Sequence, residues 1–381
     1  MLCSGWPGPA APYPAFGSCR GDAAGKSTGP TRIAAHPPGG AGLRRIVIVS
    51  LALIAVVAAG FAAFTVSPWP SVLLIRLAFH KHAVDRSRAL QKHVPANVTA
   101  VRDLRYGGAD AFLDVFYPSE HQNDERLLPA IVWIHGGAFV GGDKSDVASY
   151  LEILAGRGYT AIGINYSLAP GARYPAPVIQ ANQALSFLNA YADRLHVDPR
   201  RLFLAGDSAG AQIASQLAAA VVDPSYAESL GISPAVEPAQ IEGVALFCGV
   251  YDVSQIDRRG SFGRVLETVV WSYFGRKDVT ADPRLAEFSV IRHVTQEFPP
   301  AFISAGNADP LAPQPVAVAD AIRAHGVAVT EVFFPPDYTR ALPHEYQFDL
   351  DGADGRRTLE RLTTWLDERA RAGGSEGAPH R

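Results

Sequence analysis

The stretch LFLAGDSAGAQIASQLAAAVV, residues 202–222, joins an apolar β-type run, a serine between two glycines and a helical run without interruption. Gly206 and Gly210 stand where a tight strand-to-helix turn leaves no room for a side chain. Such a turn holds the central serine, Ser208, in a strained conformation with its hydroxyl group exposed above the sheet. This context predicts an activated serine, against the alternative that Ser208 only caps the helix.

Around this stretch, short β-type runs alternate with helical runs after residue 98, which indicates a parallel sheet wrapped by helices. The predicted strands are Ala130–His135, Thr160–Tyr166, Leu202–Ala205, Ile241–Phe247, Ala301–Ala305 and Val327–Phe334. The predicted helices are Ala176–Leu195, Ala209–Val222 and Pro315–His325. The less regular segment 252–293 is interpreted as an inserted helical cap. We therefore predict an α/β domain over residues 98–373, with a mostly parallel central sheet, flanking helices and a small helical cap.

A glycine-rich motif, HGGAF at residues 135–139, follows the predicted strand upstream of the serine. In acyl-transfer enzymes built on such a sheet, this place holds backbone N–H groups that stabilise the oxygen of a tetrahedral intermediate. The predicted oxyanion-hole donors are the amides of Gly136, Gly137 and Ala209. His135 is expected to order the loop by hydrogen bonding, with a role as catalytic base as the alternative.

The base and its orienting acid follow the serine in the chain order serine, acid, histidine. Asp309 comes after the predicted strand Ala301–Ala305, and His344 comes after the last predicted strand. His344 is predicted to take the Ser208 proton, and ionised Asp309 to hold the imidazole in the required tautomer. The less suitable candidates are His293, which precedes the acid, Asp252, one strand too early, and Asp337 and Glu345, both close to His344 in sequence.

Together these motifs resemble the hormone-sensitive-lipase type of bacterial and microsomal carboxylesterases, over roughly residues 100–370. YSLAP at residues 166–170, YPA at 174–176 and DPL at 309–311 are similar to further segments of that family. The resemblance implies the α/β-hydrolase fold and activity on small acyl-chain or aryl esters. Ala138, Ser167 and Gly171 depart from residues that are frequent in the family.

The N-terminal part of the chain has a different composition. Residues 1–42 are rich in Gly, Pro, Ala and Ser and are predicted to be a disordered tail, as is the C-terminus over 374–381. Residues 43–67 contain an uncharged run from Ile46 to Val66, long enough to span a bilayer as a helix, so a single-pass anchor is predicted, with a cleaved signal peptide and secretion as the alternative. Residues 68–97 are predicted to form an amphipathic helix, either on the membrane surface or in the cap. The domain beyond is expected outside the cytoplasm, although the flanking basic residues bias the orientation weakly.

Composition excludes some classes of partner. Lys and Arg number 34 against 37 Asp and Glu, a net charge of −3, so nucleic acid is not an expected partner. Cys3 and Cys19 lie in the tail, which leaves Cys248 without a disulfide partner in the predicted domain. The nucleophile, base and oxyanion donors are all protein groups, so no metal or organic cofactor is expected. No feature indicates an oligomeric state.

The sequence favours an ester hydrolase that passes through an acyl-Ser208 intermediate on a small-molecule ester. Three alternatives remain open. The same triad could serve an amidase, deacetylase or thioesterase, or an interfacial lipase bound to the membrane through its N-terminal segment. A catalytically silent ligand-binding protein on the same fold is the third alternative, against which all three triad positions are filled.

Overall fold

The structure, a computed structural model, describes residues 40–255 and 260–376. All but the last three residues of the predicted tail over 1–42 lie outside this part of the chain. The last helix continues to Glu376, beyond the predicted domain boundary at 373, and the remaining residues of the predicted C-terminal tail lie outside the described part.

Within the described residues, eight strands form one sheet in the order β1-β2-β4-β3-β5-β6-β7-β8. The strands are β1 Val98–Arg105, β2 Phe112–Pro118, β3 Leu128–Ile134, β4 Thr160–Ile164, β5 Val197–Asp207, β6 Ile241–Phe247, β7 Ala301–Ser304 and β8 Val329–Val332. All neighbours from β4 to β8 are parallel, whereas β1 and β2 extend the sheet antiparallel at one edge. This is the predicted fold class, the α/β-hydrolase fold.

Helices cover both faces of the sheet. The α-helices of the described part are α1 Gly40–Val66, α2 Trp69–Gln91, α3 Ala148–Ala155, α4 Ala176–Ala190, α5 Ala209–Val222, α6 Pro224–Ser229, α7 Gly260–Phe274, α8 Arg284–Phe288, α9 Pro313–Ala324 and α10 Ala353–Glu376. The buried apolar side chains form two clusters, one containing residues of α4, α5 and α9 and the other containing residues of α3 and α10. Two separate cores are expected when both faces of a parallel sheet are covered.

The sheet places the candidate residues at one edge. β6, all but one residue of β3 and the segment Leu202–Asp207 of β5 are buried, as expected for central parallel strands. Their register pairs Ile134 with Gly206 and Asp207 with Phe247, so the carboxyl ends of the three strands lie side by side. Ligands of open α/β sheets bind at this edge.

The first two helices differ in their surroundings. The segment Gly42–Val66 of α1 is long and apolar enough to cross a membrane, and none of its most apolar window is buried. Such a helix is compatible with a membrane anchor and with a signal sequence. Helix α2 buries Val72, Ala83 and Leu90.

Candidate functional site

Ser208 lies at the turn between β5 and α5, where the sequence predicts it. Its backbone has φ 52° and ψ −118°, a conformation that non-glycine residues rarely adopt. The Ser208 N–H donates to the Phe247 carbonyl at 2.8 Å, which ties the turn to β6. A Cβ on Gly210 would lie 1.9 Å from the Ile134 oxygen, and one on Gly206 would lie 2.5 Å from the Gly210 carbonyl carbon. Both positions therefore require glycine.

The loop after β3 contains three successive residues with positive φ. The values are 110° for Gly137, 53° for Ala138 and 60° for Phe139. The Gly137 carbonyl accepts hydrogen bonds from the N–H groups of Val140, at 3.1 Å, and Gly141, at 2.9 Å, which closes a tight turn. The half-buried Gly137 and Ala138 face the same cavity as Ser208.

Gly136 is predicted from the sequence as an oxyanion donor, but the structure directs this glycine at another acceptor. Its amide N–H donates to Asp207 Oδ2 at 3.0 Å, and Trp133 Nε1 donates to Asp207 Oδ1 at 2.7 Å. Because a backbone amide has a single proton, the Gly136 N–H is already occupied within the protein. The amides of Gly137 and Ala138 have no acceptor among the residues that the structure describes, and neither does that of Ala209 in the first turn of α5.

His344 and Asp309 are joined, as the sequence predicts. His344 Nδ1 donates to Asp309 Oδ2 at 2.8 Å, since an ionised carboxylate can only accept. Asp309 is buried, whereas about a third of the His344 side chain, 32%, is exposed. Burial disfavours the imidazolium, but the neighbouring Cys248 and the hydrogen bond to Asp309 raise the pKa of His344 above its ordinary value.

Ser208 and His344 line one cavity of about 460 Å³. In the described part of the chain, no hydrogen bond joins Ser208 Oγ to the His344 ring; such bonds are often long before substrate binds. The cavity extends between α2, α7 and the loop after β6. Its apolar walls are Phe79, Ala83, Val250, Val253, Phe262, Val265, Leu266, Val269, Val270, Phe274 and Phe288.

His135 orders the loop and is not placed as a base. Its ring stacks on Tyr166 with centroids 4.5 Å apart, and its Nδ1 lies 2.6 Å from the Gly136 oxygen. Burial lowers the pKa of His135, so the ring is neutral near pH 7. The Tyr166 hydroxyl donates to the His135 carbonyl at 3.0 Å, and the Ala169 N–H donates to the Phe139 carbonyl at 2.9 Å. The YSLAP segment thus supports the glycine-rich loop through two hydrogen bonds.

Three ionisable residues of the site, Arg86, Glu345 and Asp207, were given no role by the sequence. Arg86 of α2 forms an ion pair with Glu345, the residue after His344, and its guanidinium lies 4.5 Å from the Phe348 ring centroid. Burial and the nearby Glu345 raise the pKa of Asp207 to about 8, so this carboxyl is largely protonated at neutral pH. No local sequence signal could have identified the pair, because Arg86 and Glu345 are 259 residues apart.

A metal ion has one candidate position in the described part of the chain. Ligand atoms of Cys248, Asp309 and His344 all lie within 4.8 Å of one another. Two of these residues are already joined by the hydrogen bond between His344 and Asp309. That bond accounts for their proximity without an ion.

Fold and site together define an α/β hydrolase with a serine at the strand-to-helix turn. The BD-FAE family matches residues 113–319, more than half of the chain, and the chain belongs to this family. Esterase LipQ of Mycobacterium tuberculosis is 26% identical over 234 residues, which are 59% of this chain and 53% of LipQ. The acetyl esterase of Salmonella paratyphi B is 27% identical over 190 residues, 48% of this chain and 55% of that enzyme. This chain therefore spans about half the length of these curated relatives.

Solved structures share the fold. Esterase B from Lactobacillus rhamnosis superposes with a TM-score of 0.68 at 21% identity, over 81% of this chain and 98% of that one. The same esterase B inhibited by a C4-C4 tributyrin phosphonate gives a TM-score of 0.66 at 22% identity, over 81% of this chain and 98% of that one. At this level of identity the similarity shows the fold alone.

Proposed function

We propose that the protein is a serine hydrolase that cleaves carboxylic esters, with Ser208 as nucleophile, His344 as base and Asp309 as orienting acid. The observation that carries the proposal is the position of Ser208, held at positive φ in a cavity that it shares with His344, whose Nδ1 is bonded to Asp309. The esterase relatives and the α/β-hydrolase fold support the same reaction class.

The proposed reaction has two halves. Ser208 Oγ attacks the ester carbonyl carbon while His344 Nε2 takes the hydroxyl proton, and His344 then returns that proton to the departing alkoxide. A water molecule attacks the acyl-Ser208 ester in the same way, and release of the carboxylic acid restores the serine. Asp309 stabilises the imidazolium in both halves.

The oxyanion hole is proposed to consist of the amides of Gly137, Ala138 and Ala209. These three N–H groups have no acceptor in the described structure, and Gly137 and Ala138 reach the cavity from the turn after β3. Each donor aimed at the developing negative oxygen contributes a few kcal/mol to the transition state. Gly136 is proposed to act indirectly, through the hydrogen bond that its N–H donates to Asp207.

Short- to medium-chain or aryl esters are the proposed substrates. The cavity of about 460 Å³ lies in the lower part of the range for small-molecule sites, and most of its lining is apolar or aromatic. Such a pocket recognises an uncharged acyl group by burying apolar surface. The tributyrin phosphonate bound by esterase B is a short-chain ester analogue, which is consistent with this size.

An interfacial lipase is the second candidate function. The apolar side chains Leu73, Leu74 and Leu77 of α2 are exposed, and α2 follows the apolar helix α1 after only Ser67 and Pro68. An exposed apolar helix face of this kind binds at a lipid surface. We accordingly propose a single-pass N-terminal anchor with the catalytic domain outside the cytoplasm; the alternative is secretion after cleavage. Protease protection of the full chain in sealed vesicles tests the orientation, and N-terminal sequencing of the mature protein tests cleavage.

The primary test is hydrolysis of p-nitrophenyl esters from acetate to palmitate by the chain from residue 68 onward, beside Ser208→Ala, without added metal. Activity that peaks at short chains and disappears in the variant supports the proposal. Without ester hydrolysis, labelling of Ser208 by a fluorophosphonate would indicate a narrow or non-ester substrate, as in an amidase or deacetylase. Neither hydrolysis nor labelling would favour a silent ligand-binding protein.

A further inference from the structure

A positive charge from outside the sheet lies within the catalytic centre. Arg86 belongs to α2, yet it lines the same cavity as Ser208 and His344 and forms an ion pair with Glu345. Only about a fifth of either side chain, 20% and 21%, is exposed, so solvent screens the pair weakly. By contrast Arg88, two residues further along α2, has 77% of its side chain exposed and pairs only with Asp85 of the same helix in the described structure.

The groups that face Arg86 come from four different elements. They are Glu345 beside the base, Asp207 beside the nucleophile, Asp146 before α3, His135 in the glycine-rich loop and the ring of Phe348. The Asp207 and Glu345 carboxyl groups also lie close together, since a Cβ built on Gly136 would be 2.4 Å from Asp207 Oδ2 and 3.1 Å from Glu345 Oε1. Two adjacent buried carboxyls cannot both ionise without a compensating cation. Arg86 is the cation that both of them face.

Each carboxyl contacts part of the catalytic centre. Asp207 holds the Gly136 N–H, directly before the proposed oxyanion donors. Glu345 Oε1 lies 4.0 Å from His344 Nε2, the nitrogen proposed to take the serine proton. Although burial opposes its charged form, Arg86 holds the pKa of Glu345 below its ordinary value, so this carboxylate is ionised and directed toward the guanidinium.

We propose that Arg86 is a positioning residue for catalysis, which neutralises Glu345 and thereby keeps His344 and the oxyanion loop in their reactive arrangement. The inference rests on the proposed function. It makes α2 part of the working enzyme: the helix that follows the apolar N-terminal segment supplies the cation on which the catalytic centre depends.

Removal of this cation has a specific consequence. In Arg86→Met, Glu345 becomes a buried carboxylate without a counter-charge, 4.0 Å from His344 Nε2. It then competes with Ser208 for the ring nitrogen and favours the imidazolium, so less neutral base is present at a given pH. The other titratable groups beside His344, Asp309 and Cys248, keep their contacts. Loss of packing alone would not move the titration of the base.

The test measures kcat and KM for p-nitrophenyl butyrate across pH with the full chain in detergent. Arg86→Met is expected to lower kcat on the order of 10²-fold with little change in KM, and to move the acidic limb of the pH profile to higher pH. Arg86→Met combined with Glu345→Gln is expected to recover about tenfold, because the uncompensated carboxylate is then absent. Arg88→Met is the matched control on the same helix and is expected to behave as wild type.

Two results would overturn the inference. One is wild-type kcat and an unmoved acidic limb in Arg86→Met; the other is additive losses when Glu345→Gln is combined with it, which would indicate a packing role. Thermal unfolding of each variant identifies a protein that has not folded. If Arg86→Met has not folded, the kcat of the double variant tests the inference in its place. If the wild type hydrolyses no ester, the proposed function fails by itself, and the rate at which a fluorophosphonate labels Ser208 in wild type and Arg86→Met tests the inference without a substrate.

Discussion

Asp309 uses both carboxylate oxygens to fix a single position relative to His344. Its Oδ2 accepts from His344 Nδ1 at 2.8 Å, while its Oδ1 accepts from the Leu311 N–H at 2.8 Å. The second bond prevents the carboxylate from rotating away from the ring. The imidazole is therefore held with Nδ1 protonated and Nε2 free to accept a proton.

Replacement of this carboxylate tests its role. Asp309→Asn preserves the shape of the side chain but can donate to Nδ1, which stabilises the wrong tautomer. We expect kcat to fall on the order of 10⁴-fold, the effect of the same replacement in a serine-protease triad, while thermal unfolding stays close to wild type. The exposed Asp337, also considered as an acid, provides the control variant Asp337→Asn. A near-normal rate for Asp309→Asn would place the acid elsewhere.

The nucleophile and the base are expected to act as a unit. Ser208→Ala and His344→Ala should each lower kcat by several orders of magnitude, and the double variant should cost little more than either one. The reason is that neither group accelerates the reaction without the other. Steady-state kinetics on one short-chain ester measures all three variants. Strictly additive losses would contradict the pairing.

Gly137 tests the oxyanion turn. A Cβ at this position would lie 2.2 Å from the Gly141 oxygen, and φ is 110°, so Gly137→Ala must distort the turn that carries two of the proposed donors. We expect kcat to fall about 10²- to 10³-fold, the usual effect of losing one such donor. Gly108→Ala is a suitable control because nothing lies within 4 Å of its added Cβ. Equal rates for the two variants would exclude the turn from catalysis.

The pH dependence follows from the charge state of His344. Only the neutral ring accepts the serine proton, and Cys248 and Asp309 raise its pKa above the ordinary value against the opposing effect of burial. Activity should therefore be present above the raised pKa and be lost as the pH falls through it. The acidic limb of the kcat/KM profile is expected at a pH above about 6.5, the ordinary pKa of histidine. Initial rates across a constant-ionic-strength buffer series measure the limb. Full activity maintained down to about pH 5 would mean that His344 is not the base.

Deletion of α2 separates the roles of the N-terminal segments. A chain from residue 94 onward lacks Phe79 and Arg86, which line the cavity, whereas a chain from residue 68 retains both. We expect the shorter chain to lose activity on soluble short-chain and emulsified long-chain esters alike, and the longer one to keep short-chain activity. If the shorter chain loses only the long-chain activity, α2 acts in interfacial binding and not in the catalytic centre.

Much of the central sheet could be predicted because its parallel strands contain apolar runs, such as Ile131–Ile134 in β3 and Leu202–Ala205 in β5. Ile241–Phe247 and Ala209–Val222 have the predicted boundaries, and the other predicted strands agree to within a few residues except β5, which begins earlier, at Val197. β1 and β2 were missed, although β2, FLDVFYP, is largely apolar. β1 is a mostly half-exposed or exposed edge strand that includes Arg102, Asp103 and Arg105, so its sequence does not show the buried pattern.

Within the site, the sequence could place residues whose position depends on local chain geometry, but it could not show contacts between distant side chains. Ser208 and the joined pair of Asp309 and His344 stand where motif and chain order place them. Gly136 was assigned as a donor because the motif does not show that the Asp207 carboxyl group accepts its N–H. Arg86 was missed because its partner lies at the opposite end of the chain.

The stacked rings of Phe139 and Tyr273, with centroids 4.1 Å apart and nearly parallel planes at 9°, join the glycine-rich loop to α7. One ring belongs to the turn that carries the proposed donors, and the other lines the cavity from α7, on the wall proposed to bind the acyl group. Helix α7 therefore cannot be exchanged without affecting the glycine-rich loop. Grafting α7 from a relative with a different acyl preference would need an aromatic residue at position 273, and directed evolution of chain-length selectivity on this face should change turnover together with specificity.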